Sequence, residues 1–243
     1  THGLDPNVRL KHSGVEWLGD VPEHWKVLPL GRTISLATGF PFQSNGFSAA
    51  LEDVRLLRGV NVSPGRLRWD DVARWPRAYH DAFRDYSMEV GDIVLGMDRP
   101  IVGDGIRVAS VSEVDVPSLL LQRVARIRPR EGLRPAFAMF LLSGRSFANY
   151  IEPIFTGISV PHLSPEQIKS YRIALPSLQE QDEISDHVSL ASRSIQLKMD
   201  LARRQIELIQ EYRTRLVEDV VTGKLDVREA AVQLPDEADD QDL

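Results

Sequence analysis

The chain has 243 residues, of which 42% are hydrophobic, and a formal charge of −6, a balance that supports a real core but does not announce nucleic-acid binding. With no run of about 18 apolar residues and no charged-then-apolar leader, the expectation is a cytoplasmic protein with no membrane partner. The absence of cysteine excludes disulfides, thiol catalysis and thiolate metal sites.

Residues 1–26 mix Trp17 and Trp25 with glycine and proline, which predicts an irregular, packed opening segment anchored by the two indoles. Across residues 27–176, short β-favouring runs alternate with turn chemistry, predicting strands at 54–57, 72–75, 93–95, 106–111 and 119–127. Gly91-Asp92 reads as a turn feeding a buried strand, and Gly39-Phe40-Pro41-Phe42 as core packing rather than base stacking. Pro135 suits the first position of a helix over 136–142 that Gly144 ends, and a second short helix is expected at 147–151. Ser164-Pro165-Glu166-Gln167 is a capping box opening a helix to 169, and a strand over 171–175 closes the module. The expected fold class is α+β: one twisted, mixed sheet with short helices.

Ser177-Leu178-Gln179-Glu180 is a second capping box, and no glycine or proline follows until Gly223. A helix over residues 177–223 would run for roughly 67 Å at about 1.5 Å per residue. Ile184, Val188, Ile195, Met199, Ile206, Ile209, Leu216 and Val220 lie on one coiled-coil seam, widened by Leu190, Leu197, Leu201, Leu208 and Tyr212. Such a face calls for a partner helix or subunit; the alternative is a helix folded back on its own domain. Residues 224–243 are acidic and apolar-poor and are expected to be disordered. The opening Thr1, Gly3, Leu4, Asp5, Val8, Arg9 echoes Thr222, Gly223, Leu225, Asp226, Val227, Arg228, as if another helix once preceded residue 1.

The acidity is confined to the end of the chain. Residues 1–172 carry 21 Lys+Arg against 19 Asp+Glu, whereas residues 173–243 carry 8 against 16. Two arginine clusters stand out, Arg55 to Arg77 and Arg123 to Arg134, and 24 of the 29 basic residues are arginine, the side chain suited to phosphate and guanine. A GC-rich genome gives the same bias.

Taken in order, these segments resemble the specificity (S) subunits of Type I restriction–modification systems. The resemblance rests on Ser13-Gly14-Val15-Glu16-Trp17-Leu18-Gly19 with Pro22-Glu23-His24-Trp25, then Gly91-Asp92-Ile93-Val94, Gln122-Arg123, and the run from Thr156 to Ser164. Leu175-Pro176, Glu180-Gln181 and the helix ending in Val221-Thr222-Gly223-Lys224-Leu225 look like the spacer helix of the family. The resemblance implies a non-catalytic subunit with no cofactor. Its implied partners are double-stranded DNA, modification methyltransferase subunits and, through the complex, a restriction subunit. Family members usually pair two recognition domains and two antiparallel helices; this chain has one of each, which implies a half-subunit that pairs with a second copy or with the other half. In agreement, the chain carries no Asn/Asp-Pro-Pro-aromatic site, Walker lysine or His-Glu-x-x-His.

Read with that resemblance, the candidate DNA contacts are Arg55, Arg58, Arg66, Arg68, Arg74 and Arg77, with Asn61 suited to adenine or to a turn. Arg99 beside Asp98 could enter a groove or form a structural salt bridge, and Thr156, Ser159 and His162 offer a loop suited to phosphate or a plain connector. The competing class is a coiled-coil regulatory protein that mimics DNA with its acidic end; such a mimic would spread carboxylates over its folded face.

Overall fold

Short runs of Val, Ile and Leu bounded by glycine turns fold here into many brief strands, each too short to bury a face alone. The computed structural model describes residues 3–103, 105–155 and 161–228, and the chain divides into two compact units, residues 1–187 and 188–243. The first unit opens with β1 (Leu10–His12), β2 (Asp20–Pro22), β3 (Lys26–Pro29) and β4 (Ile34–Thr38). It continues through β5 (Val54–Leu57), β6 (Val62–Ser63), β7 (Arg66–Leu67), β8 (Ala73–Trp75), β9 (Ile93–Gly96), β10 (Ile101–Val102) and β11 (Gly105–Ile106). Then come β12 (Val108–Ser110), β13 (Ser118–Leu120), β14 (Val124–Pro129), α1 (Pro135–Ser143), α2 (Arg145–Ile151), α3 (Pro165–Ser170) and β15 (Arg172–Leu175). The last element, α4 (Leu178–Val221), begins in this unit.

The main sheet is four-stranded, in the order β12-β9-β14-β4, and a three-stranded sheet, β13-β5-β8, joins a parallel to an antiparallel pair. The fold is therefore α+β with mixed pairing. Ile93, Val94 and Leu95 are wholly buried, as the Gly91-Asp92 turn implies. Gly91 takes φ +90°, which favours glycine, and the buried Asp92 accepts the Glu89 amide at 2.8 Å and Arg128 Nη2 at 3.0 Å. Phe42 is buried beside Val54, Leu56 and Leu119, with Phe40, Trp75 and Phe83 against them, so the aromatic run is core.

Two expected strands are broken. Residues 119–127 turn at Arg123, which adopts φ +66°, and β13 and β14 join different sheets. The cause is the end of β4: the Phe40 amide takes the Leu120 carbonyl at 3.0 Å, and a Cβ on Gly39 would stand only 2.1 Å from the Leu121 oxygen. The run 106–111 divides at Arg107, whose amide leaves the β12 ladder for the Pro100 carbonyl at 2.7 Å.

The opening segment is more ordered than its composition suggests, because β1 and β2 pair as an antiparallel hairpin. Trp25 is buried, and Trp17 donates Nε1 to the Arg172 carbonyl at 3.0 Å. The Ser164 box forms in full: the Ser164 hydroxyl accepts the Gln167 amide at 3.2 Å and Gln167 Oε1 accepts the Ser164 amide at 2.8 Å. The second box forms only by half. Ser177 Oγ accepts the Glu180 amide at 3.3 Å, but the Glu180 carboxylate turns to Trp25 Nε1 at 2.9 Å and His24 Nε2 at 3.0 Å, since the buried indole N–H requires an acceptor.

Gln181 fixes the start of α4. Its side chain is fully buried, accepting the Arg134 amide at 2.8 Å and donating to the Gly132 and Pro176 carbonyls at 3.0 and 3.1 Å. Ile184, assigned from sequence to the partner seam, is instead buried at 7% exposure in this first unit, one helical turn after Gln181. In the second unit, Ile195, Met199, Ile206, Ile209 and Leu216 are exposed, as are Leu190, Leu197, Leu201, Leu208 and Tyr212, while Val188 and Val220 are half-buried. Residues 229–243, the greater part of the expected acidic tail, and Thr1 of the sequence echo lie outside the described residues.

Candidate nucleic-acid interface

Strand register collects several cationic loops at one end of the sheets. β14 sets Val124 opposite Gly96 of β9, β12 sets Val108 opposite Leu95, and β13 sets Leu120 beside Leu57 of β5. Residues just after β5 and β9, and just before β12 and β14, therefore emerge together: Arg58, Asp98, Arg99, Arg107, Gln122 and Arg123. The Met97 amide on the Arg123 carbonyl and the Leu121 amide on the Leu57 carbonyl, each at 3.0 Å, seal this end. The β6–β7 hairpin joins it through the Gly65 amide on the Val108 carbonyl at 2.9 Å.

Asp98 is the hub. Its Oδ2 accepts Arg123 Nη1 at 2.9 Å, and its Oδ1 lies 2.6 Å from His162 Nδ1. Burial alone would raise the Asp98 carboxyl, but the hydrogen bonds from His162 and Arg123 outweigh it and hold the group below the usual carboxylate range. Arg107 braces the same loop from beneath, donating Nη1 to the Asp98 carbonyl at 3.1 Å and Nε to the Val62 carbonyl at 3.0 Å. Burial lowers the Arg107 pKa, as expected of a half-buried guanidinium with main-chain acceptors.

The candidates from sequence separate accordingly. Arg66 and Arg99 are exposed at this end and make no side-chain hydrogen bond or ion pair among the described residues. Arg68 is exposed there too, paired with Asp70 at 2.7 Å, and Arg58 bonds the Asp71 carboxylate and carbonyl, both at 2.8 Å. His162 belongs to the same cluster. Arg77 does not: it precedes no strand at this end, its amide bonding Asp53 Oδ1 at 2.8 Å and its Nε the Glu52 carbonyl at 3.0 Å, beyond the far end of β5. Arg74 lies half-buried in β8 opposite Arg55, its Nε enclosed without a hydrogen-bond partner among the described residues.

Two assignments need correction. Asn61 is 1% exposed, and its amide is consumed internally: Oδ1 accepts the Arg58 amide at 3.0 Å and Nδ2 donates to the Arg68 and Asp71 carbonyls, both at 2.9 Å. It closes the 58–71 loop and offers no atom to a base. Arg55 has its guanidinium 4.4 Å from the centroid of the Trp69 ring and bonds the Val114 carbonyl at 2.6 Å, so its charge supports packing. Trp69 is in turn held by the buried Asp115, which accepts its Nε1 at 2.8 Å. Thr156 and Ser159 lie outside the described residues. The sequence placed Asp98 beside Arg99 and Arg123 in the second arginine cluster without marking either as a DNA contact, and gave no sign of Arg107; Gln122 stood out only as part of the Gln122-Arg123 pair. Among the described residues, no cluster of three or more His, Asp or Glu is placed to hold a metal.

The chain matches a family of known proteins. A model described as the Type I restriction modification DNA specificity domain matches residues 74–207, more than half of the chain. The chain is 34% identical over 166 residues to the Type I restriction enzyme EcoAI specificity subunit of Escherichia coli, covering 68% of this chain and 28% of that protein. It is 27% identical over 212 residues to the MjaVIII specificity subunit of Methanocaldococcus jannaschii, covering 87% of this chain and 48% of that one. The chain thus spans half or less of the length of these curated relatives. In fold it is similar to a chain solved in a study of type I R-M system assembly, with TM-score 0.58 at 16% identity over 88% of this chain and 48% of that one. The HsdS subunit from Thermoanaerobacter tengcongensis gives TM-score 0.52 at 16% identity, over 77% and 41%.

Proposed function

The chain belongs to the family of Type I restriction modification DNA specificity domains, and from that premise we propose that it reads one half of a bipartite target in double-stranded DNA. The observation that carries the reading is the gathering of Arg66, Arg68, Arg99, Arg123 and His162 at one end of the sheets, on loops anchored to a buried core. Exposed arginines supply the sequence-independent attraction to phosphate, and loops fixed by the sheet hold side chains in register with base edges. The acidic charge of the chain does not oppose this, because it is concentrated after residue 172.

In this reading the subunit is non-catalytic and cytoplasmic, needs no cofactor, and acts by choosing where methyltransferase subunits modify DNA and where a restriction subunit engages. The exposed apolar residues of α4, from Ile195 to Leu216, support a role for that helix in docking methyltransferase subunits and either a second copy or the other half of a specificity subunit. The test is co-purification with the cognate methyltransferase, followed by sequencing of methylated bases with and without this chain. A methylation motif that appears only with the chain is expected; a pattern indifferent to it overturns the reading.

A further inference from the structure

Of the two arginines exposed at the sheet end that have no side-chain partner among the described residues, Arg99 has a feature that Arg66 lacks. The backbone on either side of it is fixed by a dense set of bonds, while its own head reaches no partner among the described residues. The Arg99 amide donates to the Pro161 carbonyl at 2.8 Å, and the Pro100 carbonyl accepts the Arg107 amide at 2.7 Å. On the other side, the Asp98 carbonyl accepts Arg107 Nη1 at 3.1 Å, and its carboxylate holds Arg123 and His162. Arg99 itself sits at φ +45°, a left-handed conformation that costs a non-glycine residue free energy and persists only where its surroundings enforce it. Arg123, the other non-glycine residue with positive φ among the described residues, is held by the same carboxylate. Arg66, by contrast, follows Gly65 in the two-residue strand of a small hairpin.

A planar cation on a rigid root suits a base edge, which demands one plane and one register, because less freedom is lost on binding; a phosphate accepts the same fork from several directions. We infer that Arg99 reads a base edge, donating two parallel N–H bonds to O6 and N7 of a guanine in the major groove, whereas Arg66 contacts phosphate. The inference rests on the DNA-recognition reading above and names the residue that sets one position of the target.

The test uses the full chain assembled with its methyltransferase subunits and a pool of randomised duplexes, from which the methylated motif is read for the native chain and for Arg99→Ala, Arg99→Lys and Arg66→Ala. For Arg99→Ala the motif is expected to lose its preference at one G·C pair, by about 10- to 100-fold, with the other positions unchanged. Arg99→Lys, which keeps the charge but not the planar fork, restores little of that preference. Arg66→Ala lowers methylation evenly over all sequences. A motif unaltered by Arg99→Ala overturns the inference and leaves the DNA reading standing, and so does an even loss at all sequences, which would mark Arg99 as a phosphate contact. If the native assembly itself selects no motif, the proposed function fails, and this inference with it. Because Arg99 is exposed, Arg99→Gly serves as a fold control: it relieves the strained φ and is expected to relax the same base pair.

Discussion

Asp98 and His162, 64 positions apart in the chain, meet at 2.6 Å and close the turn after β9 against residues 161–164, which lead into α3. Asp98 also receives Arg123, so one carboxylate joins three loops. Replacing it by Ala removes the bond to the Arg123 guanidinium and the bond to His162, and is expected to lower stability by about 1–3 kcal/mol, measured as the urea midpoint. An unchanged midpoint would show that the three loops hold their positions without it.

The same carboxylate gives a pH signature. Its folded-state pKa lies below the ordinary value of 3.8, so its contribution is fully present above about that pH and is lost as pH falls through the lower folded value. The stability difference between the native chain and Asp98→Asn should fall as pH drops from near the ordinary carboxylate value through the lower folded value, and vanish below it. A difference that does not fall over that range would show that the carboxylate makes no stabilising bonds in the folded chain.

Asn61 and Arg55 separate structure from recognition. Asn61→Ala leaves the Arg58 amide and two carbonyls without their partner, and should cost about 2–3 kcal/mol while the DNA motif of the folded protein stays the same. Arg55→Ala removes the stack on Trp69 and the bond to Val114, and should cost about 1–2 kcal/mol. Neither should alter the slope of log affinity for duplex DNA against log salt. Arg66→Ala should reduce that slope by about 0.9, the value for one phosphate contact. A reduced slope for Arg55→Ala would restore it to the DNA surface.

Along α4, residues with the same heptad spacing differ in what they do. Ile184→Ala is expected to destabilise the first unit by about 2–4 kcal/mol, because its side chain is buried there. Ile195→Asp combined with Ile206→Asp should leave that stability unchanged and abolish association with a second copy or with methyltransferase subunits, measured by sedimentation velocity. Intact association in the double variant would move the docking surface elsewhere.

How far the sequence could be read depended on the distance over which each feature is decided. The Ser164–Gln167 box, the Pro135 helix start and the uninterrupted α4 are local in chemistry, and the structure forms each of them. The breaks at Arg107 and Arg123 were hidden because each arginine sits inside an apolar run with strand spacing, and what interrupts the run lies outside it: β4 for Arg123, and for Arg107 the Pro100 carbonyl across the β10–β11 hairpin. Asn61 misled because an amide in an arginine-rich stretch has the same identity whether it closes a loop or faces a base; only its 1% exposure distinguishes the two. Ile184 belongs to the α4 repeat by spacing but to the first unit by burial, and periodicity carries no information on where a domain ends.

The placement of DNA at the β9–β14 end of the sheets is tested most directly by photo-crosslinking. A photoreactive residue is placed singly at positions 66, 99 and 77 of the full chain assembled with methyltransferase subunits and a cognate duplex. Cross-links to DNA from positions 66 and 99, with none from 77, are the expected result. Cross-links from 77 alone would put DNA at the opposite end of β5 and contradict the account.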